Sequence, residues 1–186
     1  MPAFFASFLD LCRFRRGPED MPYAPRGLIA LLVACGALQV SFNLHDGVTP
    51  TALPIALAGS LAMLGTLFLL LRAGNKRERF VQTATAMAAV YLVFGIATNG
   101  LGLLLPIKKL REHFLAHPEQ PPMLSGGEIL VFLAIFVLGV WQLCVWIRIL
   151  RRALETSLPG SILMLLVLVL VGWSVAGIGL AALGAT

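Results

Sequence analysis

Few residues in this sequence have the type and spacing that chemistry requires. His113 and His117 stand four positions apart, which would place two imidazoles on one face of a helix as metal ligands. Pro118 ends such a helix and no third ligand lies nearby, so we expect no metal site. The sequence contains no G-x-S-x-G, H-E-x-x-H or P-loop motif. We therefore predict a protein that is not an enzyme and that uses no cofactor.

The three cysteines, Cys12, Cys35 and Cys144, form no C-x-x-C pair and lie at no metal-ligand spacing. Buried cysteine commonly behaves as a small apolar residue, and we interpret Cys35 and Cys144 in this way. Residues 32–35 (LVAC) match a bacterial lipoprotein cleavage box, but the apolar run continues past them to Leu44. We expect this segment to be retained as a membrane anchor.

Amides and hydroxyls within apolar stretches form a second group of candidates. Their commonest role is hydrogen bonding between helices, at about 0.6 kcal/mol each. The alternative is a small polar cavity, which would be lined by Gln39, Thr98, Asn99 and Gln142. No Lys, Arg, Asp or Glu lies in the middle of an apolar run, so we expect no proton-coupled pump. A passive channel remains an alternative.

The elements that must position these residues are five apolar runs. The chain has 186 residues, of which 59% are hydrophobic and 12% charged, whereas soluble domains are about 45–50% apolar and about 25% charged. A helix needs about 20 apolar residues to cross a bilayer, where only continuous helix satisfies an open-ended backbone. We predict an all-α polytopic transmembrane helical bundle of five spans, with four spans as the main alternative. The predicted spans of this domain, residues 27–186, are 27–44, 48–71, 80–105, 128–147 and 161–185.

The charges between the runs predict the orientation. Lys and Arg accumulate in cytoplasmic loops, and a cytoplasmic N-terminus places eleven of the fourteen on that side and the C-terminus outside. The exceptions are Lys108, Lys109 and Arg111. The eleven also form a candidate patch for anionic headgroups of the bilayer. The patch comprises Arg13, Arg15, Arg16, Arg26, Arg72, Lys76, Arg77, Arg79, Arg148, Arg151 and Arg152. Because the net charge of +5 sits in clusters between apolar runs, we expect no nucleic-acid partner.

Two stretches are predicted to be interfacial. Within the cytoplasmic segment 1–26, apolar residues recur at helical spacing: Phe4, Phe5, Phe8, Leu11 and Cys12. Such an amphipathic helix can lie in the headgroup plane or dock on the fold. Residues 107–116 (IKKLREHFLA) show a weaker form of the same pattern.

Small residues four positions apart are frequent in the predicted spans. They allow helices to approach closely, which matters because lipid provides no hydrophobic drive between helices. The sequence does not distinguish packing within the chain from packing on a partner. The pairs are Ala58 and Ala62, Ala84 and Ala88, Thr85 and Ala89, Gly172 and Ala176, and Gly177 and Ala181.

The layout resembles that of bacterial membrane proteins of the Yip (Ypt-interacting protein) type. The shared features are a cytoplasmic N-terminal segment, five tightly spaced spans and polar residues opening the third span, residues 79–83 (RFVQT). The resemblance covers residues 27–186 and implies a membrane-embedded adaptor. We expect a non-enzymatic adaptor or accessory subunit that packs against a partner or against itself, with a small transporter or channel as the alternative. The composition, rich in Ala, Leu, Gly and Arg, favours a bacterial inner membrane.

Overall fold

The computed structural model describes residues 10–12, 17–21, 23–45, 52–116, 119 and 124–184. These residues form helices and turns, and they contain no strand, so the predicted all-α class is confirmed for them. The helices are α1 (Pro25–His45), α2 (Ala52–Ala73), α3 (Phe80–Gly102), α4 (Ile107–Ala116), α5 (Gly126–Leu154) and α6 (Leu158–Gly184). Two 3-10 turns, Pro18–Asp20 and Arg77–Arg79, precede α1 and α3.

Among the described residues, three helical segments are long and apolar enough to cross a membrane. They are Arg77–Gly102, Gly126–Leu154 and Leu158–Gly179. Two shorter apolar stretches, Pro25–Ser41 and Leu57–Ala73, lie within α1 and α2. The described part of the chain is therefore a helical bundle with three candidate transmembrane helices, at the positions of the predicted third, fourth and fifth spans.

The ends of α5 lie beyond the predicted apolar span 128–147. At the start, the Ser125 hydroxyl accepts a hydrogen bond from the Glu128 backbone N–H, and a Glu128 carboxylate oxygen accepts one from the Ser125 N–H at 2.7 Å. This reciprocal pair is a capping box. At the other end, the helix continues through three arginines to Leu154, because arginine is a good helix former. Glu155 then ends the helix in a left-handed conformation with φ of 51°.

Helix α3 lies at the centre of the bundle. It packs against α1 and α5 and touches α2, whereas α2 packs mainly on α6. Helices α1 and α2 barely touch each other. Most buried side chains lie in the first half of α3 (residues 83–90) and in the last third of α5, from Val145 to Ala153. The core is thus concentrated at one end of the bundle.

The small-residue pairs serve mainly the packing within this chain. Ala84, Thr85, Ala88 and Ala89 are all buried in α3. Gly172 of α6 packs directly on α2. The remaining predicted pair on α6, Gly177 and Ala181, is exposed.

Of the predicted N-terminal amphipathic helix, only residues 10–12 fall among the described residues. They are helical, and Leu11 is 3% exposed. The Cys12 carbonyl accepts a hydrogen bond from the Trp141 indole N–H at 3.3 Å. For these three residues, the contacts favour docking on the bundle over an in-plane position. Phe4, Phe5 and Phe8 lie outside the described residues.

The interpretation of the cysteines as buried apolar residues is partly wrong. Cys35 is half-buried and its thiol donates to the Ala88 carbonyl at 3.4 Å, whereas Cys144 is exposed. The reason is the helix face on which Cys144 lies, because Val137, Val140 and Trp141, at seven, four and three positions before it in α5, are all exposed as well.

Candidate functional site

A cleft of about 790 Å³ lies between α1 and α2, which barely touch each other. Helices α3 and α6 line it as well, and Trp146 of α5 reaches it. Leu61 and Trp173 stand at the rim, with 66% and 78% of their surface exposed. Both rim residues belong to the middle of their helices, so the cleft opens on the side of the bundle rather than at its end.

The lining of the cleft is mostly apolar, with leucines from α1, α2 and α6. The polar groups are few: the Gln39 amide, the Ser60 hydroxyl and the Tyr91 phenol. The Trp146 indole N–H is already engaged, since it donates to the Met87 carbonyl at 3.4 Å. Apolar walls with a small number of polar groups are typical of a site for an apolar or amphipathic ligand.

The four polar residues predicted to share a cavity are not brought together at this cleft. Gln39 lines it, whereas Thr98, Asn99 and Gln142 are not among its lining residues. The Thr98 hydroxyl donates to the Phe94 carbonyl at 2.9 Å and lies 3.2 Å from the Gly95 carbonyl, both in its own helix. A hydroxyl bonded in this way to the preceding turn is satisfied locally.

Sequence reasoning overlooked Ser60 and Tyr91 as lining residues. Ser60 follows Gly59, whose missing side chain lets α6 approach α2 and close one wall of the cleft. For Ser60, the available signal in the sequence was a glycine followed by a hydroxyl residue within an apolar run. This pattern does not show which helix packs beside it.

One end of the bundle is held together by ion pairs around Glu155. Its carboxylate contacts the Lys76 ammonium at 2.8 Å and the Arg79 guanidinium at 2.7 Å. Hydrogen bonds from Lys76 and then from Arg79 lower the pKa of Glu155 below its usual value. The turn between α2 and α3 is thereby tied to the turn between α5 and α6.

Arg79 also closes the C-terminus of α5. Its guanidinium Nη1 donates to the Arg152 carbonyl at 3.3 Å and to the Ala153 carbonyl at 3.5 Å. Carbonyls in the last turn of a helix have no partner within the helix, and a cation there also favours the helix dipole. This contact gives a physical reason for the extension of α5 beyond its apolar span.

The N-terminal segment joins the same end of the bundle. Glu19 pairs with Arg152 at 3.0 Å, and the Gln82 amide donates to the Met21 carbonyl at 3.0 Å. Segments before α1, between α2 and α3, and after α5 therefore meet at one end. This is the arrangement expected if the predicted basic clusters share one side of a membrane.

The predicted basic patch divides into two groups. Lys76, Arg79 and Arg152 form the ion pairs above, and Arg148 is half-buried. The exposed group, which forms no ion pair with other described residues, consists of Arg26, Arg72, Arg77 and Arg151. Arg13, Arg15 and Arg16 lie outside the part of the chain that the structure describes.

The described residues contain no group of three or more His, Cys, Asp or Glu side chains that could hold a metal ion. His113 lies in α4, and His117 falls outside the described part of the chain. No protein-family model, curated protein or solved structure matches this chain.

Proposed function

We propose that the chain is an integral membrane adaptor or accessory subunit, without enzymatic activity, whose five long helices all span the bilayer. Helices α1 and α2 have 21 and 22 residues. At 1.5 Å per residue they are about 32 and 33 Å long, which suits a hydrocarbon core of about 30 Å. The stretches Pro25–Ser41 in α1 and Leu57–Ala73 in α2 are apolar overall.

We further propose a bacterial inner membrane, with the N-terminus in the cytoplasm and the C-terminus in the periplasm. The end of the bundle that carries Glu155 and its basic partners would then face the cytoplasm. Support comes from the contacts that gather Lys76, Arg79 and Arg152 at that end, because Lys and Arg accumulate on the cytoplasmic side.

The observation that carries the adaptor role is the unused face of α5. All its buried residues lie from Val145 onward, although the helix begins at Gly126. Earlier in the helix, Phe132 and Phe136 lie on the same side of α5 as Gly139 and are 39% and 67% exposed. A side chain at Gly139 would meet no atom within 4 Å. A long apolar helix with a small residue on an unpacked stretch is suited to close approach by another transmembrane helix.

The alternative, a small transporter or channel for a neutral solute, has less support. A transporter or channel requires a polar cavity, for which the candidates are Gln39, Thr98, Asn99 and Gln142. Of these four residues, Gln39 alone lines the cleft. The Thr98 hydroxyl is engaged within its own helix. The resemblance to Yip-type proteins stays a prediction that agrees with the adaptor role.

Purification of the tagged protein from its own membranes in mild detergent, followed by mass spectrometry, tests the adaptor role. We expect a stoichiometric partner or a homo-oligomer that is lost in Gly139→Leu, because the added side chain blocks the unused face. Gly65→Leu is the matched control, since Gly65 on α2 also has open space around it. A monomer with nothing bound, or equal behaviour of both variants, would contradict the proposal and direct attention to solute flux in proteoliposomes.

A further inference from the structure

Two polar side chains face the cleft from neighbouring helices, Gln39 from α1 and Tyr91 from α3. On each helix, four lining residues stand at positions i, i+3, i+4 and i+7, so they share one face. They are Leu32, Cys35, Gly36 and Gln39 on α1, and Ala84, Met87, Ala88 and Tyr91 on α3. The polar residue is the last of the four on both helices.

Helices α1 and α3 run in the same direction where they form this wall. The Cys35 thiol donates to the Ala88 carbonyl at 3.4 Å. Further along both helices, a Cβ on Gly95 would stand 2.7 Å from the Leu38 side chain. Residues that follow Cys35 therefore lie beside residues that follow Ala88.

Gln39 and Tyr91 consequently lie at a similar level, near the middle of the bundle. Gln39 is four residues beyond Cys35 and Tyr91 is three residues beyond Ala88, which is about 6 and 4.5 Å along the helix axes. Tyr91 is the central residue of α3, eleven residues from each end. With the five helices in a bilayer, both polar groups lie close to the middle of a hydrocarbon core of about 30 Å.

Both side chains have unused capacity for hydrogen bonds. Among the described residues, neither the Gln39 amide nor the Tyr91 phenol bonds to another side chain or to a carbonyl. An amide or hydroxyl without a partner is unfavourable in an apolar environment. The Gln39 amide nitrogen and the Tyr91 hydroxyl are donors, so an acceptor atom on a ligand would supply the missing partner to both.

The cleft is suited to a ligand without charge. None of the described residues that line it is charged. A phosphate or carboxylate at this depth would lose its hydration and gain no opposite charge. The opening lies at mid-helix, with Leu61 and Trp173 exposed at its rim. A neutral molecule dissolved in the hydrocarbon core can therefore enter from the side.

The lining also favours a flat conjugated ring over a saturated chain. The aromatic side chains of Tyr91 and Trp146 face the cleft, and so do the sulfur atoms of three residues, Cys35, Met63 and Met87. Aromatic rings pair favourably with each other in offset or edge-to-face geometry. Sulfur makes favourable contacts with aromatic rings as well. A flat ring that carries carbonyl groups would satisfy both these walls and the two donors.

From these features we infer that the cleft is a binding site for an isoprenoid quinone of the membrane. The ring lies beside Tyr91 and Trp146, and a ring carbonyl accepts hydrogen bonds from Gln39 and Tyr91. The isoprenoid tail leaves between Leu61 and Trp173 into the lipid. A volume of about 790 Å³ falls within the range of about 300–1,000 Å³ that is usual for ligand sites. The inference rests on the proposed placement of the helices in a bilayer, but it requires no protein partner.

Quenching of tryptophan fluorescence by decylubiquinone, added to the purified full chain in mild detergent, tests the site, because Trp146 and Trp173 line it. We expect quenching that saturates. Quenching that rises without saturation would report only partition into the micelle and would overturn the proposal. Dioctanoylglycerol, which is neutral but has no ring, and phosphatidylglycerol should not displace the quinone. Displacement by either would show that the cleft does not select for a neutral ring.

Two variants test the hydrogen bonds. Tyr91→Phe removes only the phenolic hydroxyl, and Gln39→Leu removes the amide. Each should weaken quinone binding about fivefold, which corresponds to one hydrogen bond of about 1 kcal/mol. Tyr23→Phe and Gln142→Leu make the same changes outside the cleft and should bind like the unmodified protein. Equal affinities in each cleft variant and its control would overturn the proposed contacts.

The space for the ring has its own variant. Gly36 lines the cleft, and a Cβ there would stand at an ordinary contact distance of 3.6 Å from Leu57. Gly36→Phe should therefore fill the cleft and abolish saturable quenching, whereas Gly65→Phe, in open space outside the cleft, should not. Saturable quenching in a Gly36→Phe protein that elutes as a single folded species would exclude the cleft. The adaptor role is tested separately by the loss of a partner in Gly139→Leu, so either proposal can fail without the other.

Discussion

Gly59 and Gly172 bring the backbones of α2 and α6 into close contact. A Cβ on Gly59 would stand 2.8 Å from the Gly172 carbonyl oxygen, and a Cβ on Gly172 would stand 3.4 Å from the Gly59 carbonyl oxygen. Backbone atoms cannot swing aside as a flexible side chain can. The contact therefore requires glycine at position 59, and it fixes the wall of the cleft that α2 and α6 form together.

Replacement of Gly59 by alanine should destabilise the bundle. The new methyl group overlaps backbone, and overpacking of this kind costs about 1–3 kcal/mol. Gly172→Ala should cost less, because its methyl group meets the neighbouring oxygen at a tolerable distance. Thermal unfolding in detergent measures both effects. Gly65→Ala is the control with open space, and a Gly59→Ala protein as stable as that control would show that α2 and α6 are further apart.

The ion pairs of Glu155 predict a dependence of stability on pH. Its pKa is lowered in the folded protein by hydrogen bonds from Lys76 and Arg79. The stabilisation is therefore present above the ordinary pKa of an unfolded glutamate and is lost as the pH falls through the lower folded value. The melting temperature of the unmodified protein should exceed that of Glu155→Gln at neutral pH and converge with it in acid.

Two further measurements sharpen that prediction. The difference between the unmodified protein and Glu155→Gln should shrink in high salt, because exposed ion pairs are screened. Glu78→Gln removes an exposed carboxylate that has no ion pair among the described residues, so its melting temperature should follow the unmodified protein at every pH. A Glu155→Gln difference that persists unchanged into acid would contradict the role of the charge.

Five spans with a cytoplasmic N-terminus predict which side of the membrane each loop faces. Single cysteines at Glu78 and Glu119, in a background without the native cysteines, report on the turn after α2 and on the region between α4 and α5. Both native side chains are exposed. A membrane-impermeant maleimide added to intact cells should label Glu119→Cys and leave Glu78→Cys unlabelled. The reverse pattern would invert the orientation, and equal labelling of both would indicate an even number of crossings between them.

The helices could be predicted from the sequence because long apolar runs leave the backbone no other way to satisfy its amides in lipid. Their ends were harder to predict, since they depend on contacts with distant residues. Arg79 bonds the terminal carbonyls of α5 from 73 and 74 positions away, which no local pattern reveals. The start of α5 at Ser125 could have been predicted from the sequence, because serine followed three residues later by glutamate is the usual form of a capping box.

The candidate site was only partly predictable for a similar reason. Gln39 is polar within an apolar run, and it does line the cleft. Thr98 is also polar within an apolar run, but its hydroxyl donates a hydrogen bond to the Phe94 carbonyl of its own helix. The division of the basic patch depends on Glu19 and Glu155, which meet their partners only after the chain has folded. The cleft forms because α1 and α2 barely touch, and neither helix alone has a sequence pattern that predicts this.

The uneven distribution of the core has a mechanical consequence. Buried side chains are concentrated at the basic end, in the first half of α3 and the last third of α5. The first part of α5, from Gly126 to Cys144, carries no buried side chain, whereas α2 and α6 stay in contact toward that end, where a Cβ on Gly179 would stand 2.8 Å from Ile55. In a bilayer, a change in the thickness or lateral pressure of the leaflet at that end would therefore move the first part of α5 before it moves α2 and α6.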